Sequence, residues 1–106
     1  MTQTEKNRKI AEGLGWRLII DIWICPPCFE HKHVVECKCT STLPDFYTDE
    51  AANAMVLDAM PWPDLHKNED AGGWYCAANK YKTPSVYCAD RKTAICGAYL
   101  KMLDAV

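Results

Sequence analysis

Two periodicities alternate along this chain. Between positions 4 and 15 the apolar residues Ile10, Ala11 and Leu14 recur at helical spacing, with Thr4 placed as N-cap, Glu5 in the first turn and Gly15 as the stop. Gly13 weakens the last turn of that helix. The period then falls to two over residues 17–25, where Leu18, Ile20, Ile22 and Ile24 face one way and Arg17, Ile19, Asp21 and Trp23 the other, which predicts one long strand. Pro26-Pro27 ends it. After a charged turn containing Glu30, His31, Lys32 and His33, a second strand is expected over residues 34–39, paired with the first as a hairpin.

Helical spacing returns after position 48. Thr48 is expected to cap a second helix, Asp49 and Glu50 suit its N-terminal dipole, and Ala51, Ala52, Met55, Val56, Ala59 and Met60 form its apolar stripe up to Pro61. Residues 62–73 are polar and punctuated by Gly and Pro, so they read as a loop. Residues 74–79 and 85–88 then read as an antiparallel pair around a turn with Lys80 and Lys82. Asp90 caps a last helix whose apolar face is Ala94, Ile95, Ala98, Tyr99, Met102 and Leu103. Three amphipathic helices and about four strands predict an α+β protein, a single α-β-α sandwich over residues 1–106 with a mainly antiparallel sheet.

Size changes how that picture must be stabilised. A chain of 106 residues is one small domain with a thin core, for which a covalent or metal staple is expected to help. Twelve basic against fourteen acidic residues give a net charge of −2, with no basic block that reads as a nucleic-acid arm. The N-terminal residues are too polar for a secretory signal and no apolar run is long enough to span a membrane, so a reducing cytoplasm is the expected setting. In that setting the seven cysteines, an odd number, read as metal ligands or core residues before they read as disulfides.

Four of them make a pattern. Cys25-Pro26-Pro27-Cys28 and Cys37-Lys38-Cys39 offer two pairs of soft ligands across a hairpin spanning 25–39, the donor set of a structural, four-coordinate Zn2+ site. Residues two apart on a strand share a face, so Cys37 and Cys39 can both turn toward Cys25 and Cys28. Lys32 and Lys38 would offset part of the charge of four thiolates. Three alternatives stand beside this one: free or adventitiously oxidised thiols with no metal, His31 or His33 replacing a cysteine as ligand, and a redox dithiol at Cys25 and Cys28. A redox pair normally opens a helix, whereas this one is expected to follow a strand and precede a turn. Cys76, Cys88 and Cys96 fall on apolar positions and read as buried thiols, with closeness of Cys76 and Cys88 across the second hairpin permitting a disulfide under oxidising conditions.

The remaining candidates are weaker. The acidic run around Asp45, Asp49 and Glu50 reads as a turn and helix cap. Trp62, Trp74, Tyr75 and Tyr81 concentrate aromatic mass around the long loop and second hairpin, as a partner-binding surface would, although core or rim packing is the favoured reading for most of them. His66 stands apart from any Ser, Cys or carboxylate at triad spacing, and no Gly-rich phosphate loop occurs. No catalytic residue is nominated, and the chain is read as a non-enzyme.

Three segments carry a resemblance. Asn7-Arg8-Lys9-Ile10-Ala11-Glu12-Gly13-Leu14-Gly15-Trp16, Leu43-Pro44-Asp45-Phe46-Tyr47-Thr48-Asp49 with the Ala-rich helix after it, and Thr93-Ala94-Ile95-Cys96-Gly97-Ala98-Tyr99-Leu100 resemble the phage ABA-sandwich domain proteins. These are short bacteriophage-encoded proteins of mostly unassigned function. The resemblance implies an α-β-α sandwich over nearly the whole chain, with residues 25–39 as an insertion beyond the family's minimum, and it carries over no active site. It also implies a phage accessory protein in the host cytoplasm, acting by binding a host defence protein or sequestering a signalling nucleotide. A nucleic-acid-binding zinc module using Lys32, Lys38, Lys80 and Lys82 is the alternative, and a small hydrolase acting on nucleotides, with no residue to nominate, ranks third. No membrane partner is expected, and homo-oligomerisation is left open.

Overall fold

A computed structural model describes residues 2–30, 37–70, 72–79 and 84–104 of the chain. Helices combine with antiparallel sheets, as the periodicity predicts. The chain divides into two compact units, Met1–Pro44 and Asp45–Val106.

The first unit opens with helix α1, Gln3–Gly13. Its cap is Thr2 rather than Thr4: the Thr2 hydroxyl accepts from the Glu5 backbone N–H at 3.1 Å, which satisfies one of the helix's unpaired donors. Ile10 and Ala11 are fully buried and Gly15 leaves the helix at φ +102°, a conformation that favours glycine. The expected long strand is instead a hairpin of two three-residue strands, β1 (Arg17–Ile19) and β2 (Ile22–Ile24), with Arg17 opposite Ile24 and Ile19 opposite Ile22. A single nine-residue strand would leave most of its backbone donors and acceptors unpaired in so small a unit, whereas folding back pairs the two halves with each other. The turn also reverses the predicted faces. Leu18 and Trp23 are now partners on one side, Trp23 is buried, and Leu18, Ile20 and Ile22 lie at the surface.

Helix α2, Pro26–Phe29, is a single turn that follows β2 directly. Proline at its first position has the φ a helix requires and no N–H to leave unsatisfied, so Pro26-Pro27 starts a helical turn where a plain stop was expected. Residues 37–39 are not a strand; among the described residues of this segment it is Thr40 that pairs with β2, exchanging backbone hydrogen bonds of 2.8 and 3.0 Å with Trp23. The expected strand positions 34–36, together with His31, Lys32 and His33, lie outside the described residues.

The second unit begins with a turn in which the Asp45 carboxylate accepts from the Tyr47 N–H at 3.0 Å. Asp49, not Thr48, caps α3 (Glu50–Ala59) by accepting from the Ala52 N–H at 2.9 Å. Three strands follow, β3 (Asp64–Asn68), β4 (Gly73–Ala77) and β5 (Val86–Cys88), in one antiparallel sheet of order β3-β4-β5. The segment expected as a loop therefore contributes an edge strand. Its Asp-Leu-His-Lys-Asn sequence offers no apolar alternation because its side chains are largely at the surface. Helix α4, Arg91–Asp104, starts at Asp90, whose carboxylate accepts from the Thr93 N–H and hydroxyl at 2.9 and 2.8 Å.

Helix α4 packs on β4 and β5 and also against α3. It covers the sheet face that carries Trp74, Cys76 and Val86: a Cβ added at Gly97 would meet Val86 at 3.1 Å, so that glycine lets helix and strand approach closely. The core is Phe46, Val56, Cys76, Ile95, Cys96 and Tyr99, with small alanines between the layers. One buried amide ties it together. The Asn53 side chain donates to the carbonyls of Phe46 at 2.9 Å and Lys92 at 3.2 Å, and the Cys96 thiol donates to the same Phe46 carbonyl at 3.2 Å. This network draws the turn before α3 onto α4 and explains why Phe46 is core.

Candidate metal centre and aromatic faces

The four cysteines of the paired motif meet. Ligand atoms of Cys25, Cys28, Cys37 and Cys39 all lie within 4.8 Å of one another. Two of the sulfur pairs, Cys28 with Cys37 and Cys25 with Cys39, are 3.6 Å apart. A metal–thiolate bond of about 2.3 Å in a regular tetrahedron sets its sulfurs about 3.8 Å apart, so these spacings suit a central ion, while being far too long for a disulfide of about 2.05 Å. All seven cysteines are free thiols.

Local chain geometry accounts for the convergence. Cys25 is the residue before α2 and Cys28 lies inside it, and positions three apart on a helical turn share a side. The Trp23–Thr40 bridge then fixes the chain just after Cys39 beside the chain just before Cys25. Backbone N–H groups point into the cluster: that of Cys25 donates to the Cys39 sulfur and that of Cys39 to the Cys37 sulfur, each at 3.4 Å. Such donors favour thiolate over thiol.

The titration of the group follows from this arrangement. Burial pushes the Cys25 thiol up, but N–H donors from Lys38 and Cys28 and the neighbouring thiols of Cys28 and Cys39 outweigh it and bring Cys25 down to about 6. The opposite happens at Cys28, where hydrogen bonds to the sulfurs of Cys25, Cys37 and Cys39 hold the proton and push it up to about 12. At Cys39 the Cys25 N–H lowers the pKa, and the Cys37 sulfur with desolvation reverses the balance, so the net movement is upward. One thiolate in the cluster thus opposes the next. A cation at the centre removes that opposition, because it stabilises every thiolate at once.

The expectation that no helix follows the Cys25–Cys28 pair does not survive, since α2 begins there. What distinguishes the cluster from a two-thiol redox pair is the presence of Cys37 and Cys39 in the same group of sulfurs. Of the other cysteines, Cys76 and Cys96 are fully buried, which raises them to about 11 and about 12 respectively. Cys76 lies opposite Val86 and Cys88 opposite Trp74, so the two thiols sit diagonally across the strands.

Of the four aromatics expected on one surface, three are described, and two of these, Trp74 and Tyr75, lie on opposite faces of one strand. Trp62 is 72% exposed at φ +45° ahead of β3. Trp74 and Tyr75 are adjacent on β4 and so point to opposite faces; Trp74 carries the Arg91 guanidinium 5.8 Å above its ring. Tyr81 lies outside the described residues, as do Lys80 and Lys82. The structure assembles a different row instead. His66 stacks on Tyr75 with ring centroids 4.6 Å apart, and Tyr87 is the direct partner of Tyr75 on the next strand. The Asp64 carboxylate lies 3.3 Å from His66 Nδ1 at the edge of this row. His66 is thus not isolated; only the recognition of β3 as a strand could have put it beside Tyr75.

No helix among the described residues is long and apolar enough to cross a membrane. No family model, curated protein or solved structure matches the chain.

Proposed function

We propose that this chain is a small binding protein whose first unit is held together by one structural zinc ion on Cys25, Cys28, Cys37 and Cys39. The observation that carries this reading is the convergence of four sulfurs within 4.8 Å of one another, two pairs of them 3.6 Å apart. Four protein ligands close the coordination sphere and leave no position for water or substrate, so the ion would contribute folding energy rather than catalysis. In keeping with the resemblance above, the setting is the cytoplasm of a phage-infected cell and the role is capture of a host protein or a small nucleotide. Charge argues against the nucleic-acid alternative. The first unit has six basic and five acidic residues, and the second six basic and nine acidic, so the aromatic row lies on the unit with a net −3.

The test is elemental analysis of reduced, untagged protein, followed by backbone amide spectra before and after a strong chelator. We expect one zinc per chain and selective collapse of resonances from residues 2–30 and 37–44 on chelation, with resonances of the second unit retained. Cys37→Ser should produce the same selective loss. Iron in place of zinc would change the metal assignment, because four thiolates also suit iron. Absence of any metal, with the first unit still folded, would overturn the reading.

A further inference from the structure

The first unit contains a cavity of 320 Å³ that the metal centre does not use. Its size is at the small end of the range for metabolite pockets, roughly 300–1,000 Å³, and suits a small molecule rather than a polymer segment. One wall is the outer face of α1, where Thr4, Asn7 and Arg8 stand three and four positions apart and so share a side. The floor is apolar, formed by Leu18 of β1 and Trp23 of β2. The opposite wall is the segment after the metal centre, which brings Ser41, Thr42 and Leu43 to the cavity.

That opposite wall is built. Thr40 is fixed to Trp23 by two backbone hydrogen bonds, and its hydroxyl both donates to the Thr42 carbonyl at 2.9 Å and accepts from the Thr42 N–H at 3.1 Å. The tight turn so formed holds Ser41 and Thr42 at the rim. Arg8 is the one charged side chain among the described lining residues, and no carboxylate there opposes it. Its guanidinium sits 5.9 Å from the centre of the Trp23 ring, a cation–π contact that restrains the charged group at the cavity mouth. A restrained guanidinium loses less freedom on meeting a ligand and presents its N–H fork to a planar or tetrahedral oxyanion. Hydroxyl donors at the rim and an apolar floor complete a site with one anionic contact and one apolar contact.

We propose that this cavity binds a small organic oxyanion, a carboxylate or phosphate carried on an apolar or aromatic body, with Arg8 as the anion contact and Leu18, Trp23 and Leu43 receiving the body. The inference deepens the binding-protein reading and rests on it, since Thr40 follows the ligand Cys39 directly and the metal centre anchors that wall.

The experiment titrates zinc-loaded, reduced protein with phenyl phosphate, benzoate and the neutral benzyl alcohol, following backbone amide resonances. Either anion should give saturable shifts confined to residues 4–8, 18, 23 and 40–43, and benzyl alcohol should bind at least tenfold more weakly. Tighter binding of phenyl phosphate assigns a phosphomonoester, and tighter binding of benzoate a carboxylate. Arg8→Gln should weaken the better anion at least tenfold while leaving the remaining spectrum in place. On the unaltered protein, raising the salt concentration should weaken the anion and leave benzyl alcohol unchanged. Shifts absent or scattered, benzyl alcohol equal to the anions, or salt-independent anion binding would overturn the cavity assignment. Failure with one zinc per chain present condemns the cavity alone, whereas a metal-free protein that still binds the anion through Arg8 condemns the zinc reading alone.

Discussion

In the first unit Leu18, Ile19, Ile20, Ile22 and Phe29 are exposed, and among the described residues the buried apolar ones are few: Ile10, Ala11, Trp16, Trp23 and Cys25. In the second, Trp62 and Tyr87 are the large apolar residues left at the surface among the described residues, while Phe46, Val56, Met60, Ile95 and Tyr99 are packed inside among small neighbours. The difference follows from size and layering. A segment of 44 residues is near the limit, about 40, below which a core alone does not hold a fold, and the proposed metal on the sulfur cluster would supply the cohesion that apolar burial does not. The second unit has a sheet and two helices to enclose a core, and its buried thiols serve there as small apolar side chains.

The largest effect that would sharpen this contrast is a cavity in the second core. Ile95 is fully buried on α4, and Ile95→Ala should cost about 3 kcal/mol in that unit, read as a lower denaturant midpoint for resonances of residues 45–104. Zinc affinity should stay unchanged. A parallel loss of metal would show that the units share one cooperative core.

pH should separate the units next, in opposite directions. Cys76 and Cys96 have folded pKa values above the ordinary thiol value of 9.0, so unfolding releases their protons once the pH exceeds 9. Their contribution is complete below pH 9 and is lost progressively as the pH rises toward 11 and 12, by roughly 2 kcal/mol for the pair between pH 9 and 10. Metal binding to four thiols releases protons, so the first unit should weaken as the pH falls instead. Denaturant titrations at pH 6, 8 and 10, read separately for each unit, check both slopes. Parallel pH profiles would remove the distinction.

The smallest effect concerns the β1–β2 turn. Ile20 is 88% exposed at φ +57°, where a β-branched side chain is strained. Ile20→Gly relieves that conformation at the expense of a more flexible unfolded chain, and should raise the stability of the zinc-loaded first unit by up to about 1 kcal/mol. Calorimetry on the loaded protein gives the sign. A drop would mean that the Ile20 side chain makes a contact worth more than the strain.

Much of this could be seen in the sequence, for identifiable reasons. Caps and helical spacing marked α1, α3 and α4 to within a residue or two, and the spacing of Cys25, Cys28, Cys37 and Cys39 was enough to nominate the cluster. Three features were not visible. The reversal at Ile20 and Asp21 is hidden because strict alternation looks the same whether a strand continues or folds back on itself. Strand β3 is hidden because an edge strand of polar residues carries no apolar signal, and with it went the stacking of His66 on Tyr75. The burial of Phe46 depends on Asn53, a polar residue within an apolar helix face, whose partners are distant in sequence.

The free thiols have one practical consequence for anyone handling the molecule. In the proposed metal-bound form a thiol-specific reagent would meet one set of sulfurs released only when the metal leaves, a second set, Cys76 and Cys96, released only when the larger unit opens, and the partly exposed Cys88 outside both. The masses of the adducts formed over time would therefore record two separate events on one molecule, like a pair of clocks started by different hands.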